Sequence, residues 1–364
     1  MRVLVLNPGS ATLKATVLEP PGRDRLFDRT LTWHGAPGDR GAIKEAVDAA
    51  VTAAGPGVGA VGYRVVHGGE RFTTATLVDD AVVDAIDALG DLSPLHNPVA
   101  AATIRAARER LPDAPHVAAF DTAFHATLPE AARRYPVPDD WIAAGVRRYG
   151  FHGLSVAWSI HRAGELLDRS VGELRLVVAH LGGGCSVTAV DGGRSVDTSM
   201  GMTPLEGLMM GTRAGSIDPG VVLRMIRSGR SAESVEADMD RRSGLAGVAG
   251  TSEMEDLLAR EAGGDERATL AIALFVRRAA AGIAAAATTL PSIDALIFTG
   301  GIGEHAEPVR ERIVERLHLV ARGMGDPIAS DGDRVVRYDR GPAVLVIAAR
   351  EDLVIADAVR SVVG

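Results

Sequence analysis

Five polar residues spread along this sequence have the chemistry needed for phosphoryl transfer: Arg64, Asp121, His152, Arg213 and Glu351. Cationic and hydrogen-bonding side chains can hold the oxygens of a transferring phosphoryl group, while carboxylates hold the Mg²⁺ ion that accompanies it. A metal-hydrolase interpretation is weaker, because the histidines are scattered and no HxH or HExxH spacing is present. The residue types therefore favour a phosphotransferase.

Arg213 lies in an unusual segment, Thr198–Pro219, which contains four glycines and two prolines. Glycine and proline mark positions where the chain turns tightly or approaches something closely. An arginine set between Gly211 and Gly215 can offer its planar fork to a carboxylate or phosphate with little steric obstruction. The alternative for this segment alone is a long surface loop with one solvated arginine.

Three turns that contain glycine follow predicted strands. Asn7–Thr12 and Gly182–Gly184 each join two short apolar runs and predict hairpins, whose tips can wrap an anion with backbone N–H groups. The recurrence of this hairpin suggests two related halves. Thr299–Glu304 instead joins a strand to a helix, a natural place for a phosphate or nucleoside. With no GxxxxGK[ST] motif present, the pattern favours an α/β nucleotide-handling enzyme without a P-loop over a binding protein.

The totals limit the class of protein. A chain of 364 residues predicts two domains, and a formal net charge of −8 argues against nucleic acid or an anionic membrane as partner. The single cysteine, Cys185, excludes an internal disulfide and fits a reducing compartment. The apolar stretch Ala268–Leu290 carries Arg277 and Arg278, which favours a packed helix over a membrane span. We therefore expect a cytoplasmic protein with neither nucleic acid nor membrane as partner.

Eight blocks, in order over essentially the whole chain, resemble the acetate kinase family. They are NPGSATLK (Asn7–Lys14), YRVVHGGERF (Tyr63–Phe72), SPLHNP (Ser93–Pro98), FDTAFHATLP (Phe120–Pro129), YGFHG (Tyr149–Gly153), the segment Thr198–Pro219, FTGGIGE (Phe298–Glu304) and REDLVIA (Arg350–Ala356). The resemblance implies two duplicated actin-like (ribonuclease H-like) α/β domains with the active site in the cleft between them. It also implies an N-terminal domain of residues 1–125 plus the returning helix 353–364, a nucleotide-binding and dimerisation domain of residues 126–352, and a homodimer.

The same resemblance implies roles for individual residues. The arginines would bind the acyl carboxylate and the phosphoryl group, and His152 would stabilise the transition state, within a catalytic set of Arg64, Asp121, His152 and Arg213. Mg²⁺ (or Mn²⁺) would be held by Asn7 and Glu351, with Asp121 helping to position it. A small apolar pocket for the substrate methyl group would consist of Val66, Leu95, Phe151 and Pro204. The nucleotide and its phosphates would meet Asn7, Ser10, Thr12, Lys14, His180, Gly182, Gly183, Gly184, Gly300, Gly301, Ile302 and Gly303.

The reaction implied is reversible, Mg²⁺-dependent transfer from ATP to acetate, which yields acetyl phosphate and ADP. A carboxylic acid titrates near about pH 4–5, so the nucleophile is already anionic at neutral pH and no general base is needed. Direct in-line attack is therefore expected. A propionate (short-chain acyl) kinase stays open as an alternative, and so does a weakly catalytic nucleotide-binding regulator.

Departures from the family pattern cluster on the nucleotide side of the predicted site. Gly183 stands for the usual Asn, Glu255 for an Arg, His305 for an Asn, and Arg350 precedes Glu351 where an Asn is expected. A lost side-chain hydrogen bond typically changes stability or affinity by about 0.5–1.5 kcal/mol. ATP is the default donor, and another nucleotide or pyrophosphate stays open.

Overall fold

Two mixed β-sheets, each in its own compact unit, organise the part of the chain that the structure describes. The computed structural model describes residues 1–9, 11–33, 39–317, 328–330, 333–336 and 341–364. The first unit comprises Met1–Ala126, Phe151–Trp158 and Arg350–Gly364, and the second comprises Thr127–Gly150 and Ser159–Ala349. The predicted α/β class is confirmed.

The strands are β1 (Arg2–Pro8), β2 (Thr12–Leu18), β3 (Phe27–Thr32), β4 (Val58–Val65), β5 (Thr76–Leu77), β6 (His116–Phe120), β7 (Arg175–Leu181), β8 (Cys185–Asp191), β9 (Arg194–Thr198), β10 (Ala295–Thr299), β11 (Ile328–Ser330), β12 (Asp333–Val336) and β13 (Ala343–Val346). The α-helices are α1 (Arg40–Ala54), α2 (Asp80–Ala88), α3 (Asn97–Arg110), α4 (Glu130–Arg133), α5 (Asp139–Ala143), α6 (Gly153–Leu167), α7 (Pro219–Arg227), α8 (Ala232–Arg241), α9 (Gly244–Ala249), α10 (Met254–Ala262), α11 (Glu266–Ala287), α12 (Gly300–His305), α13 (Glu307–Leu317) and α14 (Glu351–Val363).

The two sheets repeat one topology. The first has the order β3-β2-β1-β4-β6-β5, and the second has β11-β12-β13-β10-β7-β8-β9. In the first, an antiparallel meander β1-β2-β3 continues through parallel pairs to β4 and β6. In the second, the meander β7-β8-β9 continues in the same way to β10 and β13. This shared order confirms the predicted duplication of halves.

Both predicted hairpins are present. In the first, Asn7 pairs with Lys14, and the turn is closed by the amide of Gly9, which donates to the carbonyl of Thr12 at 2.7 Å. In the second, Leu181 pairs with Cys185 across the glycine turn. The first strand of each hairpin, β1 or β7, also pairs in parallel with the next strand of its sheet, β4 or β10. Each hairpin turn therefore lies at the carboxyl end of a strand that belongs to the parallel part of the sheet.

Helix α14 returns to the first sheet and sets the position of its own first residue, Glu351. It packs against β1, β4 and β6. The contact needs a glycine on β4, because a Cβ on Gly62 would lie 2.6 Å from Ile355 Cγ2 and 2.8 Å from Val359 Cγ2. The close approach brings the start of the helix to the sheet.

The apolar helix predicted over Ala268–Leu290 is α11. By length and composition alone it could cross a membrane, and it is the one described helix that meets that test. Half of the apolar window is buried, and the helix packs against α9, α10, α13 and β8. Burial of Ile272, Phe275 and Val276 gives it the pattern of a core helix.

Two local patterns in the sequence predict structure that the fold does not have. A serine before an apolar run is a typical helix cap, so Ser155 predicts a helix from Val156, but α6 begins at Gly153 and Ser155 is buried inside its first turn. The amide of Gly153 donates to the carbonyl of Asp121 at 3.0 Å, and glycine fits there because a Cβ would lie 2.1 Å from that oxygen. The sequence of Ser243–Thr251 predicts a loop, yet this stretch contains α9, whose first residues bond back to the turn that carries Arg213.

Candidate active site

Arg64 and Asp121 form an ion pair at one edge of the first sheet. Arg64 lies near the carboxyl end of β4, and Asp121 directly follows β6, its parallel neighbour. Carboxyl ends of parallel strands meet at one edge, where α/β proteins place ligand-binding groups. The Nε of Arg64 donates to both carboxylate oxygens at 3.0 and 3.2 Å, and Nη2 donates to Oδ2 at 2.5 Å.

Asn7 and Glu351 complete the cluster from β1 and from the start of α14. Asn7 Nδ2 donates to Glu351 Oε2 at 3.1 Å, while Asn7 Oδ1 accepts from Arg64 Nη1 at 3.4 Å. Glu351 Oε2 also lies 3.6 Å from Arg64 Nε. Arg64 therefore contacts three other predicted residues, Asn7, Asp121 and Glu351, although the four are widely separated in sequence.

Burial dominates the electrostatics of this cluster. The side chain of Asp121 is fully buried and that of Arg64 is 19% exposed. Burial raises the pKa of Asp121 to about 6; Arg64 opposes this shift and Glu351 adds to it. Burial also works to lower the pKa of Arg64, but the two carboxylates outweigh it and raise that pKa. With both acids ionised, the three charged side chains carry a formal charge of −1.

His152 directly precedes Gly153, whose amide donates to the carbonyl of Asp121 at 3.0 Å, and it has a backbone conformation that non-glycine residues rarely adopt. Its φ is 60°, and residues held in such conformations concentrate at functional sites. The following residue, Gly153, packs tightly on the backbone of Asp121, because a Cβ on Gly153 would lie 2.1 Å from the carbonyl oxygen of Asp121. The backbone of His152 is thus fixed relative to that of Asp121.

His125, which sequence reasoning did not place in the site, bonds to the backbone of Phe151, the residue before His152. Its Nε2 lies 2.9 Å from the carbonyl oxygen of Phe151. A carbonyl can only accept, so this nitrogen carries the proton. Burial lowers the pKa of His125 to about 4, and the ring is neutral at pH 7. His125 therefore acts as a buried structural donor.

Three of the predicted apolar pocket residues belong to the first unit. Val66 and Phe151 are buried, and Leu95 is half-buried. Asn97 ties the turn that bears Leu95 to the end of β4: its Oδ1 accepts from the amide of His67 at 3.1 Å, and its Nδ2 donates to the carbonyl of His67 at 2.9 Å. The ring of His67 in turn meets Phe151 edge-on at 5.5 Å. The fourth residue, Pro204, lies half-buried in the second unit.

Arg213, in the second unit, is paired with an acid that sequence reasoning missed. Its Nε donates to Asp240 Oδ1 at 2.6 Å, and its Nη1 lies 3.9 Å from Met210 Sδ. Asp240 lies near the end of α8, a polar helix without a recognisable motif. No pattern in the sequence could have identified it.

The glycine turns of the second unit border a cavity of about 580 Å³. It is lined by Gly182, Gly183, Ser252, Glu253, Met254, Glu255, Leu258, Gly301, Ile302, His305 and Ala306. His180 lies close to the lining residue Gly182, where a Cβ would be 3.9 Å from His180 Nε2, and to Gly300, where a Cβ would be 3.1 Å from the same atom. Gly184 and Gly303 flank lining residues along the chain. The described lining includes two glutamates and neither Arg nor Lys.

The remaining predicted phosphate-binding residues belong to the first hairpin. Thr12 and Lys14 lie on β2, half-buried and exposed respectively. Ser10 lies outside the described residues. In the part of the chain that is described, no group of three or more His, Cys, Asp or Glu side chains is arranged to hold a metal ion.

Two sheets of one topology, an arginine between carboxylates at a strand edge and a glycine-lined cavity define an α/β phosphotransferase. The chain belongs to the acetokinase family, whose model matches residues 40–357. It is 42% identical to the acetate kinase of Deinococcus radiodurans, over 100% of this chain and 98% of that one. Its fold matches that of Porphyromonas gingivalis acetate kinase (TM-score 0.86, 32% identity, 100% of both chains). It matches a propionate kinase from Francisella tularensis equally well (TM-score 0.86, 32% identity, 99% of both). The family makes the chain a phosphotransferase with a carboxyl group as acceptor.

Proposed function

We propose that this protein is an acetate kinase that transfers the γ-phosphoryl group of ATP to acetate. The carboxylate oxygen attacks phosphorus in line, the bond to the β-phosphate oxygen breaks, and acetyl phosphate and ADP are formed. The observation that carries the proposal is the contact of Arg64 with Asp121, Asn7 and Glu351 in a chain of the acetokinase family. The reaction is reversible because both acyl phosphate and ATP are high-energy phosphoryl donors.

Each residue has a part in this reaction that matches its environment. Arg64 and Arg213 hold anionic oxygens of the acyl and phosphoryl groups, which reduces the repulsion between two anions. His152 donates a hydrogen bond to a phosphoryl oxygen as charge develops. No group needs to remove a proton from the nucleophile, because acetate is ionised at neutral pH. The backbone constraints on His152 reduce the reorganisation needed as the reaction proceeds.

The donor set of the first unit fits Mg²⁺. Mg²⁺ prefers oxygen ligands and is usually bound through one or two carboxylates plus substrate phosphates and water. Glu351 and the amide oxygen of Asn7 supply such ligands, with Asp121 alongside, and the formal charge of −1 on the cluster favours a cation. When bound, the ion would neutralise charge on the phosphates. Asp121 accepts the shorter hydrogen bonds from Arg64, at 2.5–3.2 Å, whereas Asn7 Oδ1 lies 3.4 Å from Arg64 Nη1, so we assign the ligand role to Glu351 and Asn7.

The cavity in the second unit suits the nucleoside of ATP. Its acidic residues, Glu253 and Glu255, accept hydrogen bonds from hydroxyl and amino groups, whereas Met254, Leu258 and Ile302 offer apolar surface. Pyrophosphate has no nucleoside that could fill this cavity. The cavity therefore supports a nucleotide as donor.

Acetate and propionate differ by one methylene, which changes discrimination by only about 1–3 kcal/mol. The ring of His67 meets Phe151, and Asn97 holds the backbone of His67, the residue after Val66. Pocket walls fixed in this way would expand little for an extra methylene, which favours the smaller acid. Propionate remains the second candidate substrate because a propionate kinase shares the fold.

Hydroxylamine trapping of the acyl phosphate tests the proposal. The purified protein with Mg²⁺ is assayed with acetate or propionate, each with ATP, GTP or pyrophosphate. We expect the highest kcat/KM with acetate and ATP. Failure to form a hydroxamate with any acid and donor would refute the kinase assignment, while activity restricted to pyrophosphate would refute the nucleotide assignment.

We further propose a cytoplasmic homodimer. Helix α7 exposes Val221, Leu223 and Ile226, which are 47%, 49% and 40% exposed, and such an apolar face suits contact with a second copy. Light scattering should give a dimer for the native chain and a monomer for Leu223→Glu. A native monomer would exclude the dimer.

A further inference from the structure

We propose that Asp240 is a positioning residue that holds Arg213 in the orientation needed for phosphoryl transfer. The inference rests on the proposed function, because it takes Arg213 as the group that meets the transferring phosphoryl. The Nε of Arg213 donates to Asp240 Oδ1 at 2.6 Å, and both side chains are largely buried, with exposed fractions of 17% and 16%. The other oxygen of Asp240 lies 3.8 Å from Nε of the exposed Arg241.

The geometry of the Arg213–Asp240 pair determines which N–H groups of the guanidinium are left to bind an anion. A guanidinium has five N–H donors in a fixed planar fork. Asp240 uses the Nε–H, and Nη1 lies 3.9 Å from the weak acceptor Met210 Sδ. No hydrogen bond joins Nη2 to another residue in the described ranges. Most of the Nη edge is therefore available to an anion, while the Nε edge fixes the side chain.

The main chain holds the two partners at a constant separation. Thr212, the neighbour of Arg213, donates its hydroxyl to the carbonyl of Asp240 at 2.7 Å. The amide of Ser243 donates to the carbonyl of Thr212 at 2.9 Å. At Gly244, with φ +62°, a Cβ would lie 2.8 Å from both the amide nitrogen and the carbonyl oxygen of Arg213. The end of α8 and the start of α9 therefore fix the main chain of Asp240 relative to that of Arg213.

The first unit contains an equivalent arrangement. Arg64 also presents its Nε to an aspartate, Asp121, at the predicted site. An unrestrained arginine has many rotamers and loses much entropy when it binds. A carboxylate that already holds Nε restricts the arginine before the ligand arrives, so less side-chain entropy is lost on binding, and the guanidinium keeps its positive charge. Two arginines of the predicted site are thus each restrained by an aspartate on Nε, which supports a positioning role for Asp240 beyond local stability.

Three substitutions at Asp240 separate positioning from structure. Asp240→Asn retains an oxygen that accepts from Nε, so we expect kcat within about threefold of the native value. Asp240→Glu keeps the charge but displaces it by one methylene and should lower kcat about tenfold, and Asp240→Ala should lower it by about 30- to 100-fold, since a misplacement of about 1 Å can cost about 100-fold. The KM for acetate should change less than kcat. Native kcat in both the Glu and Ala variants would overturn the proposal.

The matched control is Asp238→Ala on the same helix, because Asp238 pairs with Arg230 and Arg242 and does not contact Arg213. Its kcat should equal that of the native protein, and its unfolding midpoint in urea measures the cost of losing the two ion pairs of Asp238. If Asp238→Ala lowers kcat as much as Asp240→Ala, the effect belongs to the helix and the proposal fails.

A double-mutant cycle gives the decisive readout. If Asp240 acts through Arg213, Asp240→Ala should change kcat less than about twofold in an Arg213→Ala background. An undiminished loss in that background would assign Asp240 a separate structural role and refute the inference. Because all ratios are taken against active native protein, inactivity of the native protein with every donor would instead refute the proposed function.

Discussion

Gly153→Ala tests whether the contact between Gly153 and the carbonyl of Asp121 holds the predicted site residues in place. Gly153 begins α6, and its amide donates to the carbonyl of Asp121 at 3.0 Å. A Cβ at this position would lie 2.1 Å from that carbonyl oxygen and 2.7 Å from Phe124 Cβ. Real Cβ atoms essentially never approach another atom within 3.0 Å, so the backbone of one partner must move by about 0.9 Å.

Both backbones affected by this displacement carry predicted site residues. Asp121 holds Arg64 through two nitrogens, and His152 directly precedes the substituted residue. A misplacement of about 1 Å typically costs about 100-fold in rate, or about 2.7 kcal/mol of activation free energy. Overpacking costs about 1–3 kcal/mol in stability, and the gain of alanine over glycine in a helix returns about 0.5–1 kcal/mol. We therefore expect kcat to fall about 100-fold, with a stability loss of about 1–2 kcal/mol.

The assay measures kcat by hydroxylamine trapping and the free energy of unfolding by urea titration. Gly164→Ala is the matched control: the same substitution on the same helix, with a Cβ that would lie 3.0 Å from the carbonyl oxygen of Arg169 and from Val171 Cγ2. We expect it to lose stability while kcat stays within about twofold. A Gly153→Ala protein with native kcat would show that the carbonyl contact does not position Asp121 and His152.

Three further predictions concern single side chains. Burial raises the pKa of Cys185 to about 12, so we expect its thiol to resist iodoacetamide at pH 8 and to react only as urea unfolds the protein, as measured by mass spectrometry. Burial lowers the pKa of His125 from its usual 6.5 to about 4. The buried neutral ring therefore contributes up to about 3 kcal/mol to the free energy of unfolding, a contribution that is complete above pH 6.5 and lost as the pH falls through 4. The urea midpoint of His125→Gln should accordingly fall less over that pH range, and an equal fall would contradict this assignment. Arg64→Lys replaces the planar fork with a compact ammonium that cannot reproduce its two-nitrogen contact with Asp121, so kcat should fall about 100-fold, whereas native kcat would exclude Arg64 from the site.

Sequence reasoning could predict those parts of the site that depend on strand order. Asn7, Arg64 and Asp121 each follow or end an apolar run, and parallel strands bring such positions to one edge. The two hairpins were predictable for a similar reason, because short apolar runs joined by small polar residues have few alternatives. Local pattern and tertiary structure agree at these positions.

Other parts depend on contacts that no local pattern encodes. Asp240 looks like any acid on a polar helix until the fold brings α8 against the turn that carries Arg213. The short helix α9 lies in a stretch predicted as a loop. Gly244 and Gly247 disfavour helix, yet the amide of Leu245 donates to the carbonyl of Met210 and stabilises its start. In both cases a tertiary contact between distant segments determines the outcome.

The different ways in which the two arginines are paired suggest different tasks for them. Asp121 occupies both Nε and Nη2 of Arg64, and Asn7 lies within 3.4 Å of Nη1, so an incoming anion can form few new bonds without displacing a neighbour. Such an arginine is suited to a single directional contact, as required to aim one carboxylate oxygen. Asp240 occupies Nε of Arg213, which leaves most of the Nη edge for several oxygens at once. The phosphoryl group develops charge over three oxygens in the transition state, and an open Nη edge matches that distribution better. Arg213 is therefore the better match for the transferring phosphoryl group, and Arg64 for the acyl carboxylate.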